Sequence, residues 1–133
     1  MYKFSSKSLE RMEGLDRRLV AIAHRALQLT SVDFGIPEHG GLRTSVEQNK
    51  LYNDGLSQCD GYTFKSNHQS GMALDFFAYV DGKASWEKEH MAMIACAFLQ
   101  SASELGYKLE WGGLWKSFKD MPHVQLIEDK KNV

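Results

Sequence analysis

Ser66-Asn67-His68-Gln69-Ser70-Gly71-Met72-Ala73-Leu74-Asp75 sets a histidine and a carboxylate on either side of a glycine turn, then runs on into the apolar stretch Phe76-Phe77-Ala78-Tyr79-Val80. A glycine at that point lets the chain turn sharply, so that a loop residue and a strand residue can converge. On an extended strand Ala73, Asp75 and Phe77 share one face and Leu74 and Phe76 the other, which turns the carboxylate to a cleft and the apolar pair to a core. Histidine and aspartate are donors that a catalytic zinc accepts, three from the protein with a fourth position left for water. His68 and Asp75 supply two. The third is sought at Asp120-Met121-Pro122-His123-Val124, where a second histidine enters an apolar run. Pro122 pushes Met121 into an extended conformation, which lets His123 begin a strand and brings Asp120 in from the loop. A carboxylate there could take a proton from a water that zinc acidifies to a pKa of about 7.

Working outward from this stretch, residues 72–80 read as one strand, and Asp81-Gly82 is a two-residue hairpin signal ahead of a short return strand at Lys83 and Ala84. Ser85 is placed to cap the main helix, whose Met91, Ile94, Ala95, Phe98, Leu99, Ala102 and Leu105 fall on one face and whose stop is Gly106. Residues 107–111 and 123–127 are expected as closing strands, joined by an aromatic and glycine-rich loop at 112–119 in which Trp111 and Trp115 pack beneath the site. Upstream, a short helix over residues 8–13 breaks at Gly14. Asp16 caps a second helix with Leu19, Ile22, Ala23, Ala26 and Leu27 on its buried face, expected to lie against a sheet. Residues 32–36 alternate like a strand. Thr44 with Glu47, or Ser45 with Gln48, forms a capping box for a third helix, and residues 56–65 are a loop. Arg43 precedes that helix, where the positive end of the helix dipole repels a cation, so an anionic substrate or transition state is expected to account for its place.

The chain has 133 residues, 43% of them hydrophobic, enough for one core in one domain, 1–133, with a frayed tail at 128–133. A net charge of -1 and no block of Lys or Arg give no footprint for nucleic acid or for a membrane surface. The first residues lack the apolar run of a signal peptide and no later stretch is long enough to span a bilayer, so synthesis in the cytoplasm and no stable membrane insertion are expected. Cys59 and Cys96 are too few and too far apart for a disulfide framework and are expected as free thiols. His24, His39 and His90 lack the context of His68 and read as ordinary surface or satisfied histidines.

Three ordered motifs then carry a resemblance. Ser-x-His-x-x-Gly-x-Ala-x-Asp at 66–75, Gly-x-Arg-Thr-x-x-x-Gln at 41–48, and Trp111-Gly112-Gly113 through Trp115, Phe118, Asp120 and His123 together resemble the zinc-dependent D-alanyl-D-alanine carboxypeptidase and L-alanyl-D-glutamate peptidase family, above all its small phage endolysins. The likeness covers nearly the whole chain. It implies His68, Asp75 and His123 as zinc ligands, Asp120 as general base, and Arg43 as a residue that anchors substrate and steadies the transition state, with Ser66 and Gln48 further along the substrate cleft. It also implies hydrolysis of a peptidoglycan stem-peptide bond, that between L-alanine and D-glutamate, by a monomer that reaches the wall or periplasm after membrane permeabilisation or lysis. Leu114 stands where relatives usually carry an aspartate, and the loops at 38–41 and 58–65 are slightly longer than usual, which bears on cleft shape and any accessory ion.

The expected fold is an α+β domain, a small mostly antiparallel sheet with helices packed mainly on one face, carrying an open zinc cleft. Two other functions suit the same residues: a D-alanyl-D-alanine carboxypeptidase or dipeptidase, and an inactive zinc-binding recognition domain. Asp120 beside His123 argues against the inactive form, because a purely structural site has no use for a base.

Overall fold

The structure, a computed structural model, describes residues 1–128. The expected tail at 128–133 lies outside the described residues except for Glu128, whose carboxylate pairs with Arg18 at 3.2 Å. Among the described residues four α-helices, α1 (Ser6–Arg11), α2 (Arg17–Leu29), α3 (Ser45–Asn53) and α4 (Lys88–Leu105), accompany six short strands. Strands β1 (Asp33–Gly35), β3 (Phe77–Val80) and β4 (Lys83–Ser85) form one antiparallel sheet in the order β1-β3-β4. Strands β2 (Ala73–Asp75), β5 (Leu109–Trp111) and β6 (His123–Leu126) form another in the order β2-β6-β5. The α+β class and the antiparallel pairing are as expected, but the strands divide between two sheets.

The division falls at Phe76. Residues 72–80 were expected to be continuous, yet the Phe76 N–H donates to the Pro122 carbonyl at 2.9 Å, and its fully buried ring stacks on Phe98 with centroids 5.2 Å apart. The chain thus leaves β2 for β3 at one residue, whose side chain, with Leu74, Phe34 and Phe98, lies in the shared core. Burying a ring of that size contributes on the order of 1.5–3 kcal/mol, enough to hold the crossing in place. Leu74 and Phe76 point inward and Asp75 does not, as the alternation predicted.

The helices follow their local signals closely. Asp16 caps α2 by accepting from the Arg18 N–H at 2.9 Å, and all five residues of its predicted inner face are buried. They lie chiefly against α4 rather than against a sheet, because both helices present apolar stripes and helix-on-helix packing covers them together. Thr44 and Glu47 close the capping box of α3. Ser85 does not cap α4. The helix starts after Glu87, and the Ser85 hydroxyl is instead 2.7 Å from His90 Nδ1. On α4 Leu99 is half-buried and Leu105 exposed, while Ala97 and Ser101 join the inner face; Gly106 ends the helix as predicted. The first helix begins at Ser6, because Ser5 accepts from the Ser8 N–H and caps it earlier than expected.

Candidate active site

The β2–β6 register brings two of the candidate ligands together before any loop is considered, since Asp75 lies directly opposite His123. Paired residues on one face of adjacent strands stand about 4.5–5.5 Å apart at Cβ, so their side chains can meet at one point. His68 arrives from a short 3-10 turn, Asn67–Ser70, capped by Ser66 and closed by Gly71 at φ 75°. That left-handed conformation suits glycine alone at low cost, and it carries the chain from His68 into β2. Arg43 braces the turn from the other side, its N–H donating to the His68 carbonyl at 3.1 Å.

His68 Nε2 lies 3.3 Å from Asp75 Oδ1, and His123 Nδ1 lies 3.2 Å from the same oxygen. The two imidazoles sit edge to face with centroids 5.1 Å apart, and the three donor atoms fall within 4.8 Å of one another. Donors at about 2.0–2.2 Å from a tetrahedral zinc stand about 3.3–3.6 Å apart, close to the two distances that Asp75 Oδ1 makes to the histidines. The ring nitrogens facing away are also held. His68 Nδ1 is 3.0 Å from the Gly41 carbonyl, which can only accept, so Nδ1 carries the proton and Nε2 is free as a donor to metal. His123 Nε2 is 2.8 Å from Gln125 Oε1.

Charge is concentrated here. Burial alone would raise the Asp75 carboxyl, but the charges of His68 and His123 and their hydrogen bonds outweigh it and hold it well below the usual range. For His123 burial acts downward, yet the bond and charge of Asp75 carry it above its ordinary value. A cation placed among the three would take over the role of those protons, and the ligands would bind it deprotonated.

Asp120 sits at the edge of this cluster, its Oδ2 3.7 Å from His123 Nδ1. It is positioned by its backbone, donating from N–H to the Gly112 carbonyl at 3.0 Å and accepting from the His123 N–H at 3.2 Å. Gly112 is required for that approach, since a Cβ there would collide with the Asp120 carbonyl oxygen. Burial and the Asp75 charge push the Asp120 carboxyl upward, with His123, His68 and Arg43 partly offsetting them. Trp111 Nε1 donates to the Met121 carbonyl at 2.7 Å, and the Trp115 ring lies 5.2 Å from that of His123. Both tryptophans therefore shape the loop that delivers His123.

Arg43 has an anionic partner, and it is the protein's own. Its guanidinium donates from Nε to the His39 carbonyl at 2.7 Å, from one Nη to Gln48 Oε1 at 3.1 Å, and from the other to Asp75 Oδ2 at 3.1 Å. Asp75 thereby turns Oδ2 to Arg43 and Oδ1 to the histidines. Gln48 corrects the expectation of a cleft-lining residue: it is 0% exposed, its oxygen taken by Arg43 and its amide by Ser57 Oγ and the Cys59 carbonyl. It ties Arg43 to the 57–59 loop. Ser66 does border the cleft, with its hydroxyl accepting from the His68 N–H.

These groups form the floor of an open cleft of about 640 Å³, with exposed Leu56 and Phe118 on its walls. Gln125 and the Gly41 carbonyl were not singled out from sequence. Period-two alternation could have found Gln125, since it shares a strand face with His123.

Two histidines and an aspartate, one donor atom each, with a carboxylate beside them on an open cleft, form a group that could hold one metal ion. Comparison with known proteins gives the family. A family model described as phage L-alanyl-D-glutamate peptidase matches residues 1–129, and the chain belongs to that family. It is 33% identical over 120 residues to the L-alanyl-D-glutamate peptidase of Escherichia phage T5, covering 90% of this chain and 85% of that one. It is also 33% identical over 98 residues to the peptidoglycan L-alanyl-D-glutamate endopeptidase CwlK of Bacillus subtilis (strain 168), covering 65% of this chain and 58% of CwlK. Among solved structures, the crystal structure of the Serratia marcescens L-Ala D-Glu endopeptidase ChiX superposes with a TM-score of 0.82 at 37% identity, over 94% of this chain and 90% of that one.

Proposed function

We propose that the chain hydrolyses the bond between L-alanine and D-glutamate in peptidoglycan stem peptides, with one zinc ion held by His68 Nε2, Asp75 Oδ1 and His123 Nδ1. The observation that carries this reading is the meeting of those three donors on the floor of an open cleft, in a chain of this family. When bound, zinc would acidify a water to a pKa of about 7 and polarise the scissile carbonyl. The residues of the chain do the rest. Asp120, raised by burial and by the neighbouring carboxylate, has the basicity to take a proton from the attacking water and the position to pass it to the leaving amine. Arg43 spends one N–H on each of three protein acceptors, which leaves two of its five for a substrate carboxylate or a developing oxyanion. Ser66 borders the same space and suits a contact to substrate backbone.

Among the described residues no helix is long and apolar enough to cross a membrane. Access to the wall after permeabilisation or lysis belongs to the same proposal and rests on the likeness to phage peptidases. Two measurements test the reading: elemental analysis of the purified protein, and mass spectrometry of products from muropeptides of known structure. One zinc per chain with cleavage after L-alanine is expected. Release of terminal D-alanine would replace the bond assignment, and binding of zinc without hydrolysis would show a recognition domain.

A further inference from the structure

A metal at His123 Nδ1 has a requirement on the far side of the ring. If Nδ1 offers its lone pair, the neutral imidazole must carry its proton on Nε2, and a buried N–H needs an acceptor. His123 is 6% exposed, and the atom facing its Nε2 is Gln125 Oε1 at 2.8 Å. We propose that Gln125 is a positioning residue for the metal site, which accepts the Nε2 proton of His123 and so selects the tautomer and ring angle that present Nδ1 to the ion. The inference rests on the zinc reading above. His68 obtains the same service from a backbone carbonyl, that of Gly41, which no side-chain substitution removes. His123 depends on a side chain, so of the two histidines it is the one whose support a substitution can delete.

The choice of an uncharged acceptor follows from the sheet. Gln125 lies directly opposite Glu110 in the β5–β6 register, and Glu110 is held in place as the acceptor for Trp115 Nε1. A carboxylate at 125 would face another across the strand pair, which is destabilising. The amide oxygen provides the acceptor without that repulsion. The Trp115 ring in turn lies against His123, so the Glu110–Trp115 contact and Gln125 hold the imidazole from its face and from its edge.

The test compares Gln125→Met, which keeps length and bulk without an acceptor, with Gln125→Glu, which restores an acceptor at the cost of a charge. Zinc affinity is measured by competition with a chromophoric chelator, and the protonation of the His123 ring by ¹⁵N NMR of the zinc-loaded proteins. Outer partners of metal-bound histidines are worth about 10–100-fold in metal affinity. Gln125→Met is expected to lose that much, while Gln125→Glu stays within a few-fold of wild type despite a lower melting temperature. The wild-type ring should show Nδ1 bound to metal and a proton on Nε2. Zinc affinity of Gln125→Met within twofold of wild type, or failure of Gln125→Glu to recover it, overturns the inference and leaves the zinc reading intact. A wild-type protein that binds no zinc overturns both.

Discussion

Replacing Arg43 by lysine keeps the positive charge and discards the planar fork, and the structure allows the loss to be worked through bond by bond. The guanidinium holds three acceptors in different directions, the His39 carbonyl, Gln48 Oε1 and Asp75 Oδ2, at 2.7, 3.1 and 3.1 Å. A single ammonium on a flexible stem can keep one of them at good geometry. With the side chain only 11% exposed, water replaces the others poorly. Two lost bonds from a charged donor, at about 1–2 kcal/mol each after compensation, make the variant roughly 2–4 kcal/mol less stable. From its position ahead of a helix N-terminus alone, Arg43 would be expected to tolerate lysine without structural cost, and the three bonds say otherwise. Freed from Arg43, the Asp75 carboxylate can rotate, so zinc affinity should fall by about tenfold or more. Turnover should drop roughly thirty-fold to a thousand-fold as a transition-state contact is lost. The assay is a urea melt of the metal-free protein, chelator competition for zinc, and steady-state kinetics on a soluble muropeptide at saturating zinc. A lysine variant that matches wild type in all three would refute the reasoning. Lost turnover with stability and affinity intact would instead confine Arg43 to substrate contact.

Asp120→Asn removes a base and no ligand, so the protein should keep its zinc by elemental analysis while hydrolysis slows about a hundredfold to ten-thousandfold; near-normal turnover would leave Asp120 a turn residue. His123→Ala should abolish stoichiometric zinc, and a chelator should silence the wild type until zinc is added back; a variant that still carries a full equivalent would remove His123 from the ligand set. Asp33, whose Oδ1 is buried with no hydrogen-bond partner, has its carboxyl raised by burial, partly offset by a bond from the Phe34 N–H. An acid with a raised folded pKa favours folding below its ordinary range, and that advantage is lost as pH rises through the folded value. Asp33→Asn should therefore melt higher than wild type at about pH 7 and equally at about pH 3, and a difference that does not shrink on acidification would exclude the carboxylate as its source.

What the sequence determined by itself was whatever a few neighbouring residues decide. The Asp16 and Thr44 caps, the inner face of α2, the turn at Gly71 and the inward side chains of Leu74 and Phe76 all rest on spacings of two to four residues, where local sterics and the periods of helix and strand act directly. The three candidate ligands were legible for the same reason, His68 and Asp75 sharing one short motif and His123 standing in another. Their meeting was a matter for the tertiary structure, since Asp75 and His123 are 48 residues apart and only the β2–β6 register sets them opposite. The crossing between sheets at Phe76 was hidden because β-propensity does not say where a buried ring and the Pro122 carbonyl will draw a strand out of line. Arg43 was read as held in place for an anionic substrate or transition state, but the anion against it is Asp75, 32 residues away, and no local pattern records that distance. Gln48 looked like a polar residue for a cleft and proved to be a buried brace, because burial is set by what packs over a side chain, and the 57–59 loop does so here.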